Sequence, residues 1–235
     1  MHLLTSFPAA AFIAAASLAA PAAATASTAT GNVGAFSEYL YRGVEQSNGA
    51  AIQGGIDYAH DSGLYIGTWA SNTDFAGSQG TVSDEIDVYG GCTHSFGAVT
   101  IDVGAYFYYY RDDTSLDTIE YYLGLSAGRF GAKAYYTGDY FGTDEDGFYV
   151  TANYALPLGD TLALTPQVGY SVGDGPRAFV VAAFDPEPSD HYLDYSLTLT
   201  KTLDDGLSFS LALIGTDLHD DDEKVVVGLK KTFEL

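Results

Sequence analysis

Hydrophobic and polar positions alternate most clearly over residues 84 to 111, DEIDVYGGCTHSFGAVTIDVGAYFYYYR. Ile86, Val88, Gly90 and Cys92 interleave with Glu85, Asp87, Tyr89 and Gly91. Past Ser95 to Ala98 the rhythm returns: Val99, Ile101, Val103, Ala105 and Phe107 interleave with Thr100, Asp102, Gly104, Tyr106 and Tyr108. A strand sends successive side chains to opposite faces. Each arm therefore has one apolar face and one face of carboxylates and tyrosines. Each arm is about 10 to 12 residues, the reach a tilted strand needs to cross a bilayer. The second arm ends in an aromatic block, Tyr106 to Tyr110, and then in Arg111-Asp112-Asp113. Rings with an apolar body and a polar tip settle at membrane–water interfaces. The stretch predicts one hairpin of an outer-membrane β-barrel.

The same alternation predicts strands over 32–42, 50–60, 63–73, 84–94, 99–110, 118–128, 131–141, 147–157, 161–172, 191–201, 206–216 and 224–235. That makes an all-β, up-and-down barrel of twelve antiparallel strands, an even number as single-chain bacterial barrels have. The connections alternate in length. Asp61-Ser62, Ser95 to Ala98, Arg129-Phe130, Leu158 to Asp160 and Thr202 to Asp205 are short. Those starting at Gly43, Asp74, Arg111, Gly142, Gly173 and Asp217 are mostly longer. Short turns on one side and long loops on the other place the short side, and both ends of the wall, in the periplasm. A soluble sandwich gives no such alternation. The last strand sets Val225, Val227, Leu229, Lys231, Phe233 and Leu235 on one face. Lys231 is tolerable there only near an interface. Residues 173–190, GDGPRAFVVAAFDPEPSD, break the pattern. They predict an extension of the fifth hairpin above the membrane, with a constriction folded into the mouth as the alternative.

Residues 1–26 read as a cleaved export signal. An alanine-rich apolar run from Ala9 to Ala24 is followed by A-x-A-like small residues, although the start carries His2 and no Lys or Arg. The run is too short to span as a helix. The barrel domain is then 27–235, and its location the cell outer membrane of a Gram-negative bacterium.

Composition narrows function by exclusion. Nine Lys and Arg stand against 31 Asp and Glu, a net charge of -22. Nucleic acid is excluded as a partner, since its phosphates need basic patches. The single cysteine, Cys92, forms no internal disulfide and is expected as a small apolar side chain on the membrane face near a turn.

An ordered set of motifs runs through the N-terminal half: Ser37-Glu38-Tyr39-Leu40-Tyr41-Arg42-Gly43, Gln53-Gly54-Gly55-Ile56-Asp57-Tyr58, Gly63 to Asn72 (GLYIGTWASN) and Glu85-Ile86-Asp87-Val88-Tyr89-Gly90-Gly91. This set resembles the TorF-type porins, also described as the Gcw-motif exported proteins of unknown function. The resemblance covers roughly residues 33 to 125 and departs where Tyr110 is followed by Arg111 rather than proline. It implies an outer-membrane barrel and a pore, and brings no substrate and no catalytic residue.

With the apolar faces toward lipid, the pore-lining set is Glu38, Arg42, Asp57, Trp69, Glu85, Asp87, Asp102, Tyr106, Glu120 and Asp194, joined by Lys133, Asp139 and Lys230. An acidic lumen attracts cations and repels anions. The competing reading is that these charges pair with Arg42, Lys133 and Lys230 and fill a narrow barrel. Catalysis has little to stand on. Ser189-Asp190-His191 is contiguous, but neighbours in a strand face opposite ways, so it is no triad. His60, His94 and His219 sit in no motif. The acidic loop runs at Asp144 to Asp146 and Asp220 to Asp222 lack the glycine and Glu spacing of a calcium loop, so no metal and no cofactor is expected. The function predicted is passive diffusion of small solutes, cations favoured. The alternative is a closed structural or surface-interaction barrel without channel activity. Expected partners are outer-membrane lipid, the solutes, and the periplasmic and outer-membrane machinery that assembles barrels. The oligomeric state is left open.

Overall fold

The computed structural model describes residues 27–184, 188–219 and 221–235. The expected signal at residues 1–26 lies outside them, as do Asp185, Glu187 and Asp220.

Twelve antiparallel strands close into one barrel. They are β1 (Thr28–Phe36), β2 (Ala51–Ala59), β3 (Leu64–Gly77), β4 (Gly80–Phe96), β5 (Val99–Tyr109) and β6 (Thr118–Ala127), followed by β7 (Phe130–Thr137), β8 (Gly147–Tyr154), β9 (Leu162–Val172), β10 (His191–Thr202), β11 (Leu207–Thr216) and β12 (Lys224–Glu234). Leu156–Pro157 continues the eighth strand against β9. Each strand pairs with its sequence neighbours, and β1 pairs with β12 from Thr30↔Glu234 to Phe36↔Gly228. The Leu235 N–H donates to the Ala29 carbonyl, so the wall begins and ends at the short-turn rim.

Alternation decides which way each side chain points. Val88, Val103, Leu123, Val150, Leu197, Leu211 and Val227 are exposed on the outside. Their neighbours Asp87, Asp102, Tyr122, Tyr149, Ala212 and Val226 are buried inside. In water such an exterior would be a large apolar liability. In hydrocarbon it is the favourable face, and closure leaves no unpaired edge. Cys92 is half-exposed on the outer face of β4, near the Phe96–Val99 turn. Lys231 reaches back at the short-turn rim to the Asp205 carboxylate, at 3.2 Å.

Three expectations change. The first strand runs over Thr28–Phe36 rather than 32–42. The chain leaves the wall at Ser37, whose backbone N–H still donates to Val227 and whose Oγ accepts from the Val227 N–H. Phe36 turns its ring onto the inner wall, into space a side chain on Gly228 would fill: a Cβ there would lie 2.5 Å from that ring. Second, the extended hairpin is β3–β4, not the connection after β9. Its strands continue past the Asn72/Phe75 bulge to a turn at Ser78-Gln79. Third, residues 174–184 form a short helical segment, α1, that folds over the mouth. Val180 and Val181 are buried, and Phe179 stacks on Phe141 at 5.3 Å. Burial of Val180 and Val181 against the mouth favours this placement, while Ala178, Phe179, Ala182 and Ala183 stay exposed.

Candidate functional site

The lumen is built by two sources, the inner faces of the strands and the loops that enter from the long-loop rim. The first loop matters most. Leu40–Tyr41 and Val44–Glu45 pair into a minimal hairpin whose turn is Arg42-Gly43. Both turn residues are in the left-handed region, Arg42 at φ 50° and Gly43 at φ 83°. The Tyr39 N–H donates to Ser47 Oγ at 2.8 Å and fixes the base of the loop. Tyr39, Leu40, Tyr41 and Arg42 are all buried, so this tip sits inside the barrel.

Its cation meets the wall at Glu120. One Arg42 nitrogen, Nη2, donates to Oε1 at 2.8 Å and to Oε2 at 2.6 Å. The guanidinium carbon lies 4.1 Å from the Tyr149 ring centre, 4.7 Å from Tyr41 and 5.4 Å from Tyr135. Tyr108 and Tyr41 also donate to Glu120, at 3.1 Å and 3.4 Å. Phe141, at φ 49°, comes from the next inward loop and packs edge-on to Tyr41, Tyr108 and Tyr110. Edge-to-face packing places the positive ring edge on the negative ring face.

The remaining carboxylates are distributed around this plug. Glu85 accepts from the Tyr39 hydroxyl at 3.0 Å and the Tyr110 hydroxyl at 3.1 Å. Asp87, two positions along the same inner face, is buried beside it. Asp102 pairs with Lys133 at 3.1 Å and accepts from Tyr65 at 2.7 Å. Lys133 also lies 4.3 Å from the Tyr122 ring centre. Asp57 accepts from Tyr89 at 2.5 Å, and Asp194 from Tyr149 at 3.2 Å. Trp69 faces inward, edge-on to Tyr39 at 5.4 Å. Tyr106 lies among Tyr89, Tyr108, Tyr122 and Tyr135.

Nine of the ten nominated lining residues thus point inward. Glu38 does not: it lies past the end of β1, in the surroundings of Glu45 and Lys224. Partial burial, and then the Glu45 carboxyl, hold its own carboxyl above the usual range. Asp139 belongs to the loop after β7, where it accepts the Asp144 N–H. The alternation pointed Arg42 inward as part of a strand, whereas a loop delivers it. The alternation puts Tyr108 on the inner face without naming it in the lining, and Tyr39, Tyr41, Tyr110, Tyr140, Phe141 and Tyr149 are not named as lumen fillers. The signal is present for two of these: Tyr110 shares inner-face parity with Tyr106, and Tyr149 with Thr151.

Among the described residues, no group of three or more His, Cys, Asp or Glu is arranged to hold a metal. No helix among them is long and apolar enough to cross a membrane, which does not bear on crossing by strands.

A closed, apolar-sided barrel with polar contents defines a class by fold, the transmembrane-type β-barrels. Comparison with solved structures places this fold beside two of them. A KdgM porin superposes with a TM-score of 0.59 at 10% identity, covering 87% of this chain and 99% of that one. The NanC porin superposes with a TM-score of 0.60 at 9% identity, covering 88% and 100%. A further KdgM porin structure, in complex with disordered oligogalacturonate, gives 0.57 at 10% identity, covering 87% and 99%. At such identities the likeness shows the fold alone. Sequence comparison with curated proteins finds no match. The family match is over residues 20–233: the chain belongs to Gcw_chp, bacterial proteins of unknown function.

Proposed function

We propose that this protein is an outer-membrane diffusion channel for small solutes that favours cations and whose path is narrowed by the loop carrying Arg42. The observation that carries the reading is the imbalance of charge inside a membrane-type barrel. Asp57, Glu85, Asp87, Asp102, Glu120 and Asp194 face inward against Arg42, Lys133 and Lys230. Arg42 and Lys133 are matched one to one with Glu120 and Asp102. What remains is negative, and a negative field in a low-dielectric tube concentrates cations. The oligogalacturonate of the KdgM complex carries a carboxylate on each sugar and does not suit such a lumen. Export by residues 1–26 and insertion by barrel-assembly machinery belong to the same reading.

One observation favours the second reading, a closed structural barrel. The rings of Tyr41, Tyr106, Tyr108, Tyr110, Tyr122, Tyr135 and Phe141 form one buried cluster across the interior. Planar-bilayer recording of the refolded protein under a salt gradient separates the two. The channel reading expects stepwise currents with a cation-selective reversal potential that Asp87→Asn and Asp102→Asn reduce. Silence from a correctly folded barrel would sink it and favour the closed barrel. Currents with selectivity unchanged in those variants would remove the two carboxylates from the mechanism.

A further inference from the structure

The seat of Arg42 has a property of its own. Of the groups around the guanidinium, Glu120 comes from β6, Tyr135 from β7, Tyr149 from β8 and Asp194 from β10. All four belong to the wall. Tyr41 comes from the same loop as the cation, and Tyr140, from the loop after β7, also reaches the guanidinium. A cage of two carboxylates and two aromatic rings therefore stands in the lumen independently of the side chain that fills it.

The occupant fits incompletely. A guanidinium binds a carboxylate best as a fork, two nitrogens to two oxygens. Arg42 spans both Glu120 oxygens with the single nitrogen Nη2, at 2.8 Å and 2.6 Å. Nη1 is buried, with no hydrogen-bond partner of good geometry. Oδ2 of Asp194 is also buried and without a partner among the described residues, while its Oδ1 accepts from Tyr149. Arg42 lies within electrostatic reach of that carboxylate and does not bond to it. The hairpin tip sets the angle of approach, with Arg42 held at φ 50°. A free guanidinium has no tether and can turn to give Glu120 the fork.

We propose that the Glu120–Tyr135–Tyr149–Asp194 cage is a binding site for guanidinium-bearing solutes, and that Arg42 is a tethered stand-in which such a solute displaces. The channel reading enters only through the conductance readout; the binding site stands on the cage geometry. A group held by a short loop competes at an effective concentration in the millimolar range. Free ligand therefore displaces Arg42 at about millimolar levels or above, and binds more tightly once Arg42 is removed.

The test is rescue of the emptied cage. Arg42→Ala and Arg42→Met are refolded in detergent, with heat-shifted gel mobility as the check of folding. Arg42→Met keeps the stem packing should Arg42→Ala fail to fold. Methylguanidinium is titrated calorimetrically at low millimolar concentration against matched sodium chloride, and then added in bilayer recordings. Saturable binding to the Arg42 variants is expected, weakened about tenfold or more when Glu120→Gln is added, since a hydrogen bond to a charged group is lost. The Arg42 variants should also conduct more than wild type and be blocked again by methylguanidinium. No saturable binding, or binding indifferent to Glu120→Gln, overturns the cage. Binding in barrels that never conduct supports the cage and removes the channel. Conducting Arg42 variants insensitive to methylguanidinium remove the cage and keep the channel.

Discussion

The two sides of the lumen are made differently. From β4 to β8 the inner face carries Glu85, Asp87, Asp102, Tyr106, Tyr108, Glu120, Tyr122, Lys133, Tyr135 and Tyr149, all buried. Across from it, β9 to β12 present Thr165, Ser171, Thr200, Ser208, Ala212, Val226 and Gly228. The first wall is bulky, charged and cross-bonded. The second carries mostly small side chains, with Tyr192 and Asp194 at its border and Lys230 on β12. The inward loop reads both: Tyr39 and Tyr41 join the aromatic cluster, while Leu40 lies with Phe36, Ala212, Ile214 and Val226. The difference teaches where specificity can reside. A charge must be matched by geometry, whereas a smooth wall only has to leave room.

The strongest way to break this contrast is to leave a charge of the bulky wall unmatched. Glu120→Ala strands the Arg42 guanidinium, and removing one partner of a buried pair costs about 3–5 kcal/mol. Denaturant unfolding of the detergent-folded barrel should show a loss of that order. A loss of under about 1 kcal/mol would mean that water already reaches the pair. Tyr108→Ala removes a fully buried ring that both stacks on Tyr106 and donates to Glu120. A cost of about 3–5 kcal/mol is expected for deleting such a ring, read in the same unfolding assay. On the smooth wall the sensitive change runs the other way. Ala212 has no exposed surface, and Ala212→Leu overpacks its contact with Phe36 and Leu40 at about 1–3 kcal/mol. The dislodged Leu40 should loosen the hairpin tip, which protease sensitivity near residues 37–50 would report. Thr200→Ala, on the same smooth wall, should cost about 1 kcal/mol or less. A larger loss would show that this wall too carries bonded polar structure.

A smaller effect concerns the rim above the bulky wall. Asp113 accepts from Ser115 Oγ at 2.5 Å, Ser78 Oγ at 2.7 Å and the Gln79 N–H at 3.1 Å. These bonds, Ser115 first, hold its carboxyl well below the ordinary range. A carboxyl depressed in the folded state contributes stability above its unfolded pKa of about 3.9, and that contribution fades as pH falls toward the folded value. Asp113→Asn should therefore lower the melting temperature near neutrality and make no difference in strong acid. A gap that persists unchanged in acid would assign the effect to packing.

Alternation was legible because closure leaves each strand no choice of face. The parity that puts Val88 and Val103 outside puts Asp87 and Asp102 inside, and twelve strands with their short turns follow from it. Two kinds of information were not local. Strand ends could not be read where an inward loop continues the strand's chemistry: Ser37 to Arg42 keeps an alternating look, but the chain bends out of the wall at Ser37 and folds back at Arg42-Gly43. The destination of α1 depends on Tyr140 and Phe141, more than thirty positions away, which no period in residues 174–184 encodes. Parity alone points Asp57, Glu85, Asp87, Asp102, Glu120 and Asp194 inward, and names Arg42 and Lys133 as candidate partners without saying which carboxylate each one meets. Arg42 and Glu120 are 78 positions apart, and only the closed wall brings them together.

The seam between β1 and β12 sets a timetable for assembly. Every other pairing in the wall joins strands adjacent in sequence, which hairpins form on the microsecond scale. The seam joins Thr30 to Glu234, so it waits until the last strand is present. Loop-closure entropy is only a modest obstacle, since each doubling of length adds about 0.6 kcal/mol. The hazard lies in the interval before closing, when two open edges with apolar faces are free to pair with other chains. A chain lacking β12 would remain in that interval permanently, and its expected fate is aggregation rather than a slightly weaker barrel.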